Sequence, residues 1–292
     1  MFDDFCMEHN LDQPLLPQTL FDLWCEKRPH ENGTTHRMRV QQIRQFSKFL
    51  TNNGIEAPTV FLPLPQIDKT FLPYIFTHDE IQRLLTAVDR IKPCTHHGRE
   101  SLVHLVMPLL FRILYCCGLR IGEALKIKTE DVDFHRGTLR LTETKNNRER
   151  LVPMSATLTQ MCRAYFANPL VQSYGSAYFF PATDRSHYAT CTAYEYFRKS
   201  LFIAQIGHGG RGKGPRLHDI RHTMAVHTLS QWTAEGKDIY TALPILMTYL
   251  GHSSIRSTEK YLRLVPESYA QITVPFETNF GDVFPEVTDE NQ

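Results

Sequence analysis

Residues 216–225 read Arg216-Leu-His218-Asp-Ile-Arg221-His222-Thr-Met-Ala225. His218 and Arg221 stand three apart, so on a helix they share one face. Arginine is permanently charged and its donor fork fits phosphate, while histidine titrates near neutrality. A helix that presents both suits work on a phosphate group. Many solvated helix surfaces also carry an H-x-x-R pair, so its meaning depends on what accompanies it.

Three further patterns accompany it. Gly118-Leu-Arg120-Ile-Gly122-Glu123 places an arginine at a helix start, beside free backbone N–H groups, which is a good anion site. Residues 138–153, TLRLTETKNNRERLVP, alternate apolar and polar on both sides of Lys145-Asn146-Asn147, a β-hairpin signal with Lys145 at its turn. Leu250-Gly251-His252-Ser-Ser is followed, nine residues after His252, by Tyr261. Taken singly, a turn lysine, a helix-end arginine or a lone tyrosine has an ordinary surface or packing role. Two arginines, one lysine, two histidines and one tyrosine in this order and these contexts make a stronger statement.

The ordered set resembles the tyrosine recombinases, also called the phage integrase family. The matching motifs are GLRIGE around Arg120, LHDIRHTMA around His218 and Arg221, YLGHSS around His252 and STEKYL around Tyr261, with Lys145 where the family places its hairpin lysine. The resemblance covers residues 75–270 and, less closely, 1–56. It implies a mainly α fold with a small antiparallel β-sheet (α+β). A helical DNA core-binding domain (1–56), a linker (57–75), a catalytic domain (76–270) and a tail (271–292) are expected, with the two domains closing as a clamp around DNA.

The resemblance also implies the chemistry. Tyr261 attacks phosphorus and forms a 3′-phosphotyrosyl link, freeing a 5′-hydroxyl. A phenol of pKa ~10 needs activation at neutral pH. Arg120 and Arg221 clamp the non-bridging oxygens and His252 adds a hydrogen bond. Lys145 protonates the leaving oxygen, and His218 accepts the proton of Tyr261. Glu123 orients a basic neighbour. No cofactor is implied, because the covalent link keeps the energy of the broken bond. The implied partners are double-stranded DNA with an inverted-repeat core site and three further copies of the chain in a homotetramer. Accessory proteins are left unidentified, and the element served is expected to be a mobile genetic element. A type IB topoisomerase shares the chemistry, and a catalytically silent DNA-binding accessory protein is the rival of another class.

Working outward, the four prolines of residues 57–75 exclude a continuous helix and mark the linker. Before it, Leu20, Phe21 and Trp24 form one apolar cluster, and Val40, Ile43, Phe46, Phe49 and Leu50 recur at helical spacing. Arg37, Arg39, Arg44 and Lys48 occupy the other faces of that helix and are candidate DNA contacts. After the linker, Thr77-His-Asp-Glu80 is a capping box that starts a helix near 78. Apolar patterning extends a helix over 101–116, stopped near Gly118, and further helices over 156–166, 190–205, 217–230 and 238–250. Arg198 and Lys199 place the 190–205 helix as a candidate major-groove reader. The loop Gly207–Gly214 offers Arg211 and Lys213 to the DNA backbone, its glycines allowing close approach.

Charge placement agrees. The formal net charge is only +1 over 292 residues, which by itself argues against a nucleic-acid partner. Residues 1–26 carry −6 and residues 263–292 carry −5, whereas residues 27–262 hold 31 basic against 19 acidic side chains, a net +12. A basic body between acidic ends favours a polyanion for the body. Seven cysteines show no C-x-x-C pair, and several, such as Cys116 and Cys117, sit in apolar runs and read as small core residues in a reducing cytosol. The fourteen histidines show no metal-ligand spacing, so no metal is expected. The acidic opening MFDDFCMEHN is no signal peptide and no apolar run of ~18 residues occurs, so a cytoplasmic protein without a membrane span is expected. The N-terminal domain is short for the family, which suggests either an internal start at Met1 or a naturally short form. The tail, with Tyr269, Ile272, Val274, Phe276, Phe280, Val283 and Phe284, is expected to pack on a neighbouring protomer or on its own domain.

Overall fold

The computed structural model describes residues 2–9, 16–58, 64, 72–96, 99–142, 149–210 and 214–264. Lys145, Arg211, Lys213, most of the expected linker and the whole tail therefore lie outside the described residues. The chain divides into two compact units, Met1–Leu72 and Pro73–Gln292. It is mainly α with small antiparallel sheets.

The first unit holds α1 (Phe2–Glu8), α2 (Gln18–Cys25) and α3 (Gly33–Asn52). Asn32 starts α3 by accepting a hydrogen bond from the Thr35 N–H at 2.7 Å, a side-chain cap for one otherwise orphaned donor. The core joins Phe21, Trp24 and Cys25 of α2 to Val40 and Ile43 of α3, with Phe2 and Phe5 packed against them. The apolar stripe of α3 is only half used. Phe46 and Phe49 are 39% and 61% exposed, because two short helices cannot cover every apolar position of a 20-residue one.

Arg39 differs from the other candidate DNA contacts of α3. It is buried, donating through Nε and Nη2 to the Glu31 carboxylate at 3.0 and 2.7 Å and through Nη2 to the Glu26 carbonyl at 2.7 Å. A guanidinium fork on a carboxylate satisfies both charges away from water. Its charge is thus used inside the unit, whereas Lys48 is exposed and Arg37 and Arg44 are half-buried.

In the second unit the capping box forms as its sequence predicts. The Glu80 N–H donates to Thr77 Oγ1 at 3.1 Å and the Thr77 N–H to Glu80 Oε2 at 2.9 Å, opening α4 (His78–Asp89). A small hairpin, β1 (Cys94–His96) and β2 (Arg99–Ser101), leads to α5 (Val103–Cys116). This helix is buried along most of its length, with Val106, Met107, Leu110, Phe111 and Ile113 at the centre of the core. Truncating such a residue to alanine costs about 2–5 kcal/mol. Cys117 follows the expected pattern of a buried thiol, pushed up to about 12 by burial, but Cys116 is exposed.

Next come α6 (Ile121–Leu125) and a three-stranded sheet of β3 (Val132–Asp133), β4 (Thr138–Leu141) and β5 (Arg150–Pro153), in that order and antiparallel. The hairpin register pairs Leu139 with Val152 and Leu141 with Arg150. Residues 143–148 between β4 and β5, Lys145 among them, are outside the described set. The remaining helices are α7 (Ala156–Phe166), α8 (Pro169–Ser173), α9 (Thr190–Ile203), α10 (Asp219–Ala234), α11 (Ile239–Leu250) and α12 (Arg256–Glu259). Met224, Ala225 and Leu229 of α10, Leu243 and Leu246 of α11, and Tyr261 form a second apolar cluster. No helix among the described residues is long and apolar enough to cross a membrane.

Candidate active site

Two glycines bring the chemical residues together. Gly118, after α5, has a φ of +58°, and a Cβ there would sit 2.9 Å from Leu250 Cδ2 and 3.1 Å from Met224 Sδ. The ends of α5 and α11 therefore converge with α10 at this point. Gly251, after α11, has a φ of +67°, a conformation that glycine adopts without steric cost. It closes the helix with His252 N–H donating to the Met247 carbonyl at 3.0 Å and its own N–H to the Thr248 carbonyl at 3.0 Å, the bonding pattern of a left-handed helix cap. His252 is thereby turned out of the α11 axis into the site.

Arg221, in the first turn of α10, is 1% exposed. Its Nη1 donates to the Gly118 carbonyl and its Nη2 to the Leu250 carbonyl, both at 2.6 Å. It thus satisfies an end carbonyl of α11, where the helix dipole also favours a cation. Burial, with the neighbouring charge of Arg120, lowers its pKa to about 10. Arginine so placed remains charged at neutral pH.

Arg120 occupies the N-cap position of α6. Its Nη1 donates to Glu123 Oε1 at 2.7 Å and its backbone N–H to Glu123 Oε2 at 3.1 Å. The orienting role expected of Glu123 therefore has a concrete geometry, and a second partner that the sequence did not suggest. Arg150, at the start of β5, donates to the same carboxylate through Nη2 at 2.8 Å and Nη1 at 3.3 Å. Burial alone would raise the Glu123 carboxyl, but the hydrogen bonds and charge of Arg150, joined by Arg120, hold it at about 2.

Tyr261 is 3% exposed, just after α12. Its hydroxyl lies 3.0 Å from His222 Nδ1. Burial raises the phenol pKa, with the charges of Arg221 and Arg120 opposing it. The ring of His252 lies 6.1 Å from that of Tyr261 at an interplanar angle of 24°, and its Nδ1 is 2.9 Å from Thr258 Oγ1. The Thr258 carbonyl in turn accepts the Tyr261 N–H at 2.9 Å, so one residue ties the histidine to the tyrosine. His218, at the N-cap of α10, packs edge-on against His222 with centroids 4.8 Å apart.

All three histidines are pushed down to about 4, in each case first by lost solvation, although His218 keeps an exposed face and His222 and His252 are half-buried. For all three the surrounding cations act in the same direction, while Asp219 opposes at His218 and His222. They are neutral at pH 7 and able to accept a proton or to offer one N–H.

The residues Arg120, His218, Arg221, His252 and Tyr261, distant in sequence, thus meet within one electrostatically coupled cluster. Two members were not assigned from sequence. His222 contacts the hydroxyl that His218 was expected to serve, and the signal was available: residues 218 and 222 are four apart and share a helical face. Arg150 had no local signal, since its partner Glu123 lies 27 residues away.

The candidate DNA contacts of this unit are less distinctive. Lys199 pairs with Glu195 at 2.7 Å on an exposed face of α9, and Arg198 Nη1 lies 2.9 Å from His208 Nε2.

The model of the phage integrase family matches residues 75–267. The putative integrase/recombinase y4rB of Sinorhizobium fredii is 32% identical over 282 residues, covering 88% of this chain and 82% of its own. Tyrosine recombinase XerD of Rhizobium meliloti is 29% identical over 237 residues, covering 80% and 71%. Among solved structures, the XerH recombinase in a post-cleavage complex with its palindromic difH substrate superimposes with a TM-score of 0.65 at 16% identity, over 89% of this chain and 71% of that one. The Tn1549 transposon integrase in complex with transposon right end DNA gives 0.64 at 15% identity, over 94% and 91%. With the family match spanning the residues that build the buried cluster around Tyr261, the chain belongs to the phage integrase family, the tyrosine-type site-specific recombinases that cleave and religate DNA.

Proposed function

We propose that the chain exchanges strands of double-stranded DNA through a covalent 3′-phosphotyrosine at Tyr261, in the service of a mobile genetic element. The observation that carries this reading is the phenol of Tyr261 buried against His222 and His252, with the Arg221 and Arg120 charges acting on it. A tyrosine kept only for packing does not require two arginines and two neutral histidines beside it.

The roles follow from charge and contact. Arg221, fixed by two carbonyls, and Arg120, fixed by Glu123, stabilise the negative charge that builds on the non-bridging oxygens. Because both guanidiniums are already held, little reorganisation is needed when the phosphate arrives. His252 donates a further hydrogen bond to the phosphate. The bond to Thr258 at Nδ1 leaves Nε2 to carry the proton, provided the threonine hydroxyl is the donor.

The oxygen of Tyr261 attacks phosphorus as its proton passes to His222, with His218 behind it as the next acceptor. The bond from phosphorus to the 5′ oxygen breaks, and Lys145 supplies the proton that makes this oxygen a hydroxyl. Attack by a 5′-hydroxyl of a second strand runs the same steps backwards and frees Tyr261, with no net consumption of ATP. Protonation states return to their starting point, and nothing in the cycle calls for a redox group.

The DNA partner is an inverted-repeat site held by a tetramer of this chain. The basic central segment supports the DNA reading, and the palindromic substrate of the XerH complex supports the symmetry. A supercoiled plasmid carrying two candidate sites from the DNA flanking the gene tests the function. Recombinant circles, together with protein covalently attached to a nicked version of the site, are expected. Relaxation of supercoils without exchange would identify a topoisomerase, and DNA binding without cleavage would identify an accessory protein.

A further inference from the structure

Arg150 stands where three parts of the site meet. It belongs to β5, the strand that follows the Lys145 hairpin turn in sequence. Its side chain is 11% exposed, unusual for a guanidinium, and grips the Glu123 carboxylate with both terminal nitrogens. That carboxylate also holds Arg120. On its other side the guanidinium lies against Gly251, where a Cβ would come within 2.8 Å of Nη1 and 2.9 Å of Cζ. Gly251 is the residue that turns His252 into the site. The strand is tied to the same helix a second time, by Tyr249 Oη donating to the Pro153 carbonyl at 3.1 Å.

Without Arg150 the Glu123 carboxylate loses two of its bonds and keeps only those from Arg120, so it can follow that side chain or swing towards the incoming phosphate. A carboxylate loose in an anion site repels the substrate. It also competes with the phosphate for Arg120. With Arg150 present, each carboxylate oxygen accepts a second bond besides the one from Arg120, so Arg120 is directed by a fixed acceptor. We infer that Arg150 is a positioning residue for DNA cleavage: packed against the Gly251 turn, it acts through Glu123 to fix the guanidinium of Arg120.

This inference rests on the proposed role of Arg120 as a phosphate ligand, and the test separates the two. The rate of covalent adduct formation on nicked duplex DNA is measured for the wild type, Arg150→Met, Arg120→Lys and the double variant, with melting temperatures alongside. Arg150→Lys keeps a charge in the buried site but loses the fork, and is run in the same way in case the methionine variant does not fold. Arg150→Met is expected to slow the adduct step on the order of 10–100-fold, the range typical of partners that orient site ligands. Arg150→Lys is expected to recover only part of this. The double variant is expected to be within about threefold of Arg120→Lys, since residues acting through one another are not additive. Wild-type rates in both Arg150 variants, or losses that multiply in the double variant, would overturn the inference. A wild-type rate for Arg120→Lys would instead count against the phosphate-clamp reading itself.

Discussion

The hydroxyl of Tyr261 and Nδ1 of His222 lie 3.0 Å apart, inside one chain, with the tyrosine buried and the histidine half-buried. Both groups are neutral at pH 7, since burial raises the phenol and lowers the imidazole. In a neutral pair the phenol donates to the ring nitrogen, which is the direction the proton must travel for attack. His222→Ala is therefore expected to slow adduct formation by about 10²–10³-fold, within the range of general base catalysis. His218→Ala, one ring further back, is expected to lose less. Single-turnover cleavage of a nicked duplex gives both rates, and an unimpaired His222→Ala would show that the contact is only a storage arrangement.

Gly251 is constrained twice, by its left-handed backbone and by the Arg150 guanidinium in the space a side chain would need. Gly251→Ala is expected to cost about 1–2 kcal/mol for the backbone alone. At ~2–4 °C per kcal/mol for a domain of this size, the melting temperature should fall by several degrees. Cleavage should fall further than the stability loss explains, because the displaced turn carries His252. Normal cleavage at a lowered melting temperature would contradict the close packing of Arg150 against this turn.

Acid should loosen the second unit before it affects most carboxylates. His222 and His252, both half-buried, sit at about 4, against an ordinary 6.5, so the unfolded chain binds their protons more readily. The stability they contribute is complete above about pH 6.5 and is lost as the pH falls towards 4. Glu123, at about 2 against 4.5, loses its contribution only in the window below 4.5. Thermal unfolding followed from pH 7.5 to 4.5 should show a melting temperature that begins to drop near pH 6.5. A flat profile down to pH 5 would mean that these two rings are not held as neutral groups.

The basic residues of α3 should separate into two kinds. Arg39→Met removes one partner of a buried pair and is expected to destabilise the first unit by about 3–5 kcal/mol. Lys48 is exposed, and Lys48→Ala is expected to leave stability within about 0.5 kcal/mol while weakening DNA binding and lowering its salt slope by about 1. Urea titrations and binding isotherms at several salt concentrations measure both. Equal effects of the two variants on DNA affinity, with neither destabilising, would contradict the division.

The motifs around Arg120, His218, Arg221, His252 and Tyr261 were legible because each is a local pattern with its own helix start or turn. The helix boundaries followed for the same reason: Thr77 and Glu80 act within four residues of each other, and Gly118 and Gly251 stop helices by backbone conformation alone. Burial was not legible. Arg221 and Arg39 look like any surface arginine in sequence. What takes them inside is a pair of carbonyls from residues 118 and 250 in one case and Glu31 in the other. Phe49 shows the converse, an apolar position at helical spacing for which the short partner helices supply no cover. Arg150 illustrates the limit most clearly, since its importance comes from meeting Glu123 and Gly251, brought together only by the fold.

The central claim is that Tyr261 is the nucleophile. Wild-type protein trapped on a nicked duplex, digested and analysed by mass spectrometry, tests it most directly. The account predicts a nucleotide linked to the peptide that contains Tyr261 and no adduct at all with Tyr261→Phe. An adduct on another residue, or one that survives the phenylalanine substitution, would contradict it.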